Sequence, residues 1–141
     1  MNFLSPVPQL CFVLPVRNVA TRDGGGIRAV LGSVTSQGSS LFSGNSATGN
    51  GGAIYGENSP LSLSTTTFAN NVGNLGGAVR YSTGSTMVVQ NCVYSGNRAT
   101  QGGGISAAAS SSLTVSGTVV WHRLCSFDEW KLLKVSCIDD L

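Results

Sequence analysis

Asp23 and Glu57 are the only carboxylates between residues 18 and 120, so acid–base chemistry there would have to start from them. Hydrolysis of a glycosidic bond uses two carboxyl groups about 5–10 Å apart on either side of the scissile bond. Asp23 precedes one glycine-rich block and Glu57 follows another, which sets them on different parts of any repeating coil. Lyase chemistry asks for several carboxylates around Ca²⁺ beside a basic residue, and two separated acids do not supply it. A Ser/His/Asp set lacks its base, because the single histidine, His122, lies beyond residue 120. Cys11, Cys92, Cys125 and Cys137 are far apart and form no CxxC, so a zinc site is not built from them. They read as unpaired or buried thiols, with a Cys125–Cys137 disulfide left open. The expectation is a non-catalytic chain with no cofactor and no metal. The alternative is a truncated or degenerate carbohydrate-active β-helix enzyme whose catalytic coils lie outside this chain.

The elements that would position any such residues follow from a repeat. Gly24–Ile27, Gly51–Ile54, Gly76–Val79 and Gly102–Ile105 are glycine-rich blocks whose starts are 27, 25 and 26 residues apart. Between them run Phe42–Asn45, Phe68–Asn71 and Tyr94–Asn97, each an aromatic followed three residues later by Asn, with starts 26 apart. Asn18 extends the Asn column backwards. Two markers sharing one period indicate stacked structural units. Leucine-rich repeats need leucines at several fixed positions that are absent here, whereas short alternating segments indicate strands. Leu61 and Leu63, Met87 and Val89, and Leu113 and Val115 are apolar two residues apart, so each pair belongs on one face, turned inward. Thr66, Cys92 and Thr118, then Phe68, Tyr94 and Val120, form two further columns at the same 26-residue spacing. No helical stripe runs through this Gly-, Ser- and Thr-rich region. The chain is therefore expected to be all-β, a parallel β-helix (β-solenoid) of about four coils with a period near 26 residues.

Stacking assigns a job to each column. Coils about 4.8 Å apart would place Ile27, Ile54, Val79 and Ile105 in an aliphatic ladder and Phe42, Phe68 and Tyr94 in an aromatic stack. Asn45, Asn71 and Asn97 are expected in left-handed backbone after the aromatic turn, with their amides bonding between coils. The paired glycines would turn a corner that needs positive φ or has no room for a Cβ. One residue past the aliphatic ladder, Arg28, Tyr55, Arg80 and Ser106 form a column expected to face solvent. Arg28 and Arg80 would stand about 10 Å apart with Tyr55 between them. That arrangement would suit an anionic glycan through charge and stacking, and Arg28, Tyr55 and Arg80 are the candidate binding residues.

Charge and the chain ends bound the remaining classes. The 141 residues allow one domain, and 8 Lys+Arg against 6 Asp+Glu give a net charge of +2. A nucleic-acid partner would need a clustered basic face, so none is expected. No stretch reaches the ~20 apolar residues of a membrane helix. Residues 1–17 read as an apolar segment, either a degenerate coil or a signal-like stretch without a basic start and interrupted by Pro6, Pro8 and Pro15. Residues 18–120 are the repeats. Residues 121–141 hold both Trp, both Lys, the His and seven charged residues. Within them Ser126 and Glu129 suit a helix capping box, and Trp130, Leu133 and Cys137 follow at helical spacing. A short helix covering the last coil and a tail foreign to the core both remain open.

The pairing of Gly51–Ile54 with Phe42–Asn45, and of Gly76–Val79 with Phe68–Asn71, resembles the GGA[ILV]/FxxN repeat of the chlamydial polymorphic outer membrane proteins. The resemblance covers residues 18–120, with Tyr94 for Phe, Gly104 for Ala and a degenerate stretch at Ser33–Leu41 as departures. It implies a right-handed β-helix of the pectin-lyase type. It also implies a surface or adhesion role as part of a larger extracellular or outer-membrane passenger. The partners implied are a host-cell or glycan surface and further coils of a parent protein. No autotransporter barrel follows the repeats in this chain.

Overall fold

The computed structural model describes residues 10–11, 16–108, 111–121, 125–127 and 134–135. Every strand pairing among them is parallel. The strands wind into a β-solenoid with three main sheets. A six-stranded sheet stacks Leu10–Cys11, Val34–Gln37, Leu61–Ser64, Thr86–Gln90, Ser112–Ser116 and Lys134–Val135. A five-stranded sheet stacks Ile27–Val30, Ile54–Glu57, Val79–Ser82, Ile105–Ala107 and Cys125–Phe127. A four-stranded sheet stacks Leu41–Ser43, Thr67–Ala69, Val93–Ser95 and Val119–Trp121, and Val19–Ala20 pairs with Ser46–Ala47 on the remaining side. The expected all-β coil with a period near 26 residues is what the chain adopts.

The inward columns are those set by the alternating pattern. Leu61, Leu63, Met87, Val89, Leu113 and Val115 are buried, as are Ile54, Val79 and Ile105. Phe42, Phe68 and Tyr94 stack with ring centroids 5.0 and 4.8 Å apart, close to the spacing of parallel strands. The Asn column is a continuous buried amide ladder. Asn71 Oδ1 accepts the Asn45 backbone N–H and side-chain amide, both at 3.0 Å. Asn97 Oδ1 does the same for Asn71, at 3.0 and 2.9 Å. The Asn71 amide also donates to the Phe42 carbonyl and the Asn97 amide to the Phe68 carbonyl, at 3.0 and 2.9 Å. Asn18 joins the ladder through Asn45 Oδ1.

One expectation about this column is corrected. The left-handed residue is the one before each Asn: Arg17, Gly44, Asn70 and Gly96, with φ between 54° and 64°. The turn places the following amide inside the coil, where it serves as a buried crosslink. Two corners also absorb the irregular period. The Thr65, Asn91 and Gly117 corner carries one left-handed residue per coil, but the first coil has two, Gly38 and Ser39. Thr83 and Gly84 are likewise both left-handed where the preceding coil uses Asn58 alone. An extra residue at a corner leaves the flanking strands in register.

The two glycines of each block act differently. Gly51 has φ of 65°, a left-handed turn. Gly52 does not, but a Cβ there would run into the Gly77 carbonyl oxygen of the next coil. In the degenerate stretch, Val34–Gln37 still pairs with the strand that begins at Leu61, and Ser36 takes the place of Leu63. Its hydroxyl is buried and lies 2.9 Å from Thr66 Oγ1, so the polar substitution stays satisfied.

The expected helix starting at Ser126 is also corrected. Ser106 pairs with Ser126 inside the strand Cys125–Phe127, and Lys134–Val135 pairs with Thr114–Val115. The free N–H and C=O groups along Ile105–Ala107 are met by a further strand, which a helix could not do. Glu129, Trp130, Leu133 and Cys137 lie outside the described residues, as do residues 1–9 and 12–15 of the apolar segment 1–17, read as a degenerate coil or signal-like stretch.

Replacing Asn71 by Ala leaves buried partners in two neighbouring coils unsatisfied. It should lower stability by about 2–4 kcal/mol, read as a shift in the urea unfolding midpoint at unchanged slope. Gly52→Ala should cost about 3 kcal/mol through overpacking, whereas Gly84→Asn, at a left-handed position with open space around it, should change the midpoint little.

Candidate functional site

Three kinds of side chain could do chemistry here, and the coil positions each. Asp23 and Glu57 are both engaged locally. Asp23 Oδ1 accepts the Asn50 backbone N–H at 2.8 Å and so closes the corner ahead of Gly24. Glu57, at the end of Ile54–Glu57, accepts from the Tyr55 hydroxyl at 3.3 Å. Asp23 and Glu57 therefore each meet a different element. Among the described residues no three His, Cys, Asp or Glu side chains gather as a metal ion would require.

Cys92 is the second kind. It stands in the column of Ser40, Thr66 and Thr118, where every side chain turns back on its own corner. Thr66 and Thr118 donate to the carbonyls two residues earlier, Ser64 and Ser116, at 3.0 and 3.1 Å. The Cys92 thiol does the same to Gln90 at 3.3 Å. Burial pushes its pKa up, with hydrogen bonding to Thr66 and Gln90 opposing. A raised pKa keeps the thiol protonated and weakly nucleophilic. Cys92 is thus a corner residue with sulfur in place of a hydroxyl.

The third kind is the outward column of the five-stranded sheet. The strand register places Arg28 beside Tyr55, Tyr55 beside Arg80, and Arg80 beside Ser106, so the spacing read from the sequence brings these residues together. Their exposure differs along the stack. Arg28 is exposed, and its guanidinium carbon lies 5.8 Å from the Tyr55 ring centroid, within cation–π range. Tyr55 is half-buried, with its hydroxyl 3.4 Å from Ser82 Oγ. Arg80 is only 8% exposed and donates to Ser106 Oγ at 2.6 Å. The expectation of a wholly solvent-facing column is therefore corrected: Arg80 and Ser106 are buried, and the accessible charge is at Arg28. Alternation fixes which side of the sheet a residue takes but not what lies over that side.

Sequence reading also passed over the cationic character of the first coil. Arg17, Arg22 and Arg28 are all exposed there, a clustering visible only once the coil boundaries are drawn.

Residues 39–57 match the family model of the Chlamydia polymorphic membrane protein repeat. That stretch carries the aromatic at Phe42, the ladder amide of Asn45 and the glycine corner at Gly51–Gly52. No curated protein and no solved structure matches the chain.

Because the folded thiol ionises later than the unfolded one, the parent should lose stability as pH rises above about 8.5, where only the unfolded chain gains thiolate. Below that pH Cys92 contributes no slope. Subtracting the unfolding free energy of Cys92→Thr from that of the parent should give a constant below pH about 8 that falls above it; a flat difference to pH 10 would contradict the assignment.

Proposed function

We propose that this β-solenoid is a non-catalytic, surface-displayed repeat segment of the adhesion type, a part of a longer extracellular or outer-membrane passenger. The coils carry the repeat features matched at residues 39–57. Their buried columns are accounted for by stacking, with the titratable groups Asp23, Glu57 and Cys92 tied into corners and neighbours. What remains for a partner is the outer surface.

The single observation that favours a contact there is the Arg28–Tyr55 pair. An exposed guanidinium held over an aromatic ring offers two recognition elements at once, donors for a carboxylate or sulfate and an apolar face for a sugar ring. Arg80, with its guanidinium bonded to Ser106, would support this pair from the next coil. The ligand class proposed is an anionic glycan on a host-cell or other glycan-bearing surface.

A glycan array probed with the full chain is the direct test. Arg28→Ala should reduce binding to sulfated or uronate-containing glycans about tenfold, a loss near 1.4 kcal/mol, and the remainder should weaken with added salt. Arg80→Ala should act mainly on stability. Binding that is absent in the parent, or unchanged in Arg28→Ala, removes the glycan contact from the proposal.

A further inference from the structure

The outer face of the five-stranded sheet carries charge of both signs around one aromatic ring. Arg28 and Val30 alternate outward along Ile27–Val30, and both are exposed. The register sets Tyr55 beside Arg28 and Glu57 beside Val30, with Ser82 beyond Glu57. A strand spacing of about 4.8 Å and a rise of about 3.3 Å per residue put the Arg28 and Glu57 backbones roughly 8 Å apart on the diagonal. The Arg28 guanidinium lies over the Tyr55 ring, and the Tyr55 hydroxyl reaches Glu57. One tyrosine therefore separates a cation from an anion.

Stacking does not ask for a carboxylate at this place. The column of Glu57 holds Val30 on one side and Ser82 on the other, so the coil accepts an apolar or a hydroxyl side chain there. Asp23, in contrast, accepts a backbone N–H and closes a corner. Glu57 Oε2 accepts only from the Tyr55 hydroxyl, at 3.3 Å. The Ser82 hydroxyl, 3.4 Å from the same phenol oxygen, then donates to it, because the tyrosine proton is already committed. Both bonds are long for O–H···O, and a donor on a ligand can compete with them. The other Glu57 oxygen, Oε1, meets no donor among the described residues.

We infer that Glu57 sets the selectivity of this site, favouring unsulfated uronate glycans over densely sulfated chains. The inference rests on the glycan contact proposed above and narrows its ligand class. A carboxylate on the sugar accepts from Arg28, the ring lies on the Tyr55 face, and a hydroxyl on the far side donates to Glu57. A uronate residue carries all three features. A densely sulfated chain puts a sulfate where that hydroxyl is needed, and two anions then face each other across the tyrosine. The same carboxylate that rewards a hydroxyl thus repels a second negative group.

The probes are a hyaluronan decasaccharide and a heparin decasaccharide, each titrated against the full chain by biolayer interferometry. The parent should bind the hyaluronan at least as tightly as the heparin, although heparin carries more charge. Glu57→Gln keeps an acceptor for the Tyr55 hydroxyl and removes the charge. It should leave the hyaluronan affinity nearly unchanged and raise the heparin affinity about fivefold, the effect of deleting a like charge roughly 8 Å away. Asp23→Asn changes the net charge equally but should not move the ratio of the two affinities. Thermal midpoints near the parent's show that both variants fold. Loss of binding in Arg28→Ala together with an unchanged ratio in Glu57→Gln overturns this inference and leaves the glycan contact standing. Equal gains in Glu57→Gln and Asp23→Asn overturn it as well, since net charge then accounts for both. A parent that binds neither glycan removes the contact and the selectivity together.

Discussion

Parallel strand pairing sets one distance, about 4.8 Å, at which each coil must lie on the next, and the buried Asn ladder is the interaction that makes that distance specific. A primary amide spans the gap only if it both donates and accepts along the axis, and Asn45, Asn71 and Asn97 do so at 2.9–3.0 Å. The ladder also ties down the carbonyls of Phe42 and Phe68. The ring stack, whose centroid spacings are 5.0 and 4.8 Å, is thereby anchored by hydrogen bonds from the neighbouring column. Where the coils must come closest, Gly52 and Gly77 leave out the Cβ.

This constraint explains where variation is tolerated. Strand residues facing inward cannot slip, because a one-residue shift would turn every apolar side chain outward. Insertions collect instead at corners, as in Gly38–Ser39 and Thr83–Gly84, where a second left-handed residue takes up the extra length. Polar replacements inside the coil survive where a neighbouring coil offers a partner, as Thr66 does for Ser36. The outer faces are free to vary, because stacking does not dictate them. A scaffold of this kind can change its surface without changing its interior.

The repeat, its period and the inward columns were legible in the sequence because stacking forces the same residue types to recur at each coil. The Asn column was legible as a crosslink, but its backbone conformation was not. Asn at a turn suggests left-handed φ, whereas here Gly44, Asn70 and Gly96 take that role one residue earlier. The strand Val34–Gln37 was obscured by Ser36 in a leucine position, and its partner hydroxyl is 30 residues away. Ser126 and Glu129 suggested a helix from local spacing alone, while the unpaired edge of Ile105–Ala107 captured Cys125–Phe127 as a strand.

The sequence by itself determined the architecture, which residues point inward, and which of Arg28, Tyr55, Arg80 and Ser106 become neighbours, since all of these follow from alternation and a constant period. Only the tertiary structure decided which of those neighbours are accessible. Arg28 is exposed over the Tyr55 ring, while Arg80 is buried against Ser106. It also decided that Arg17, Arg22 and Arg28 are exposed close to the exposed apolar side chains Val16, Val19, Val30 and Leu31. The physical reason is that periodicity fixes direction within a coil, whereas exposure depends on what packs over a face and on where the stack of paired strands ends.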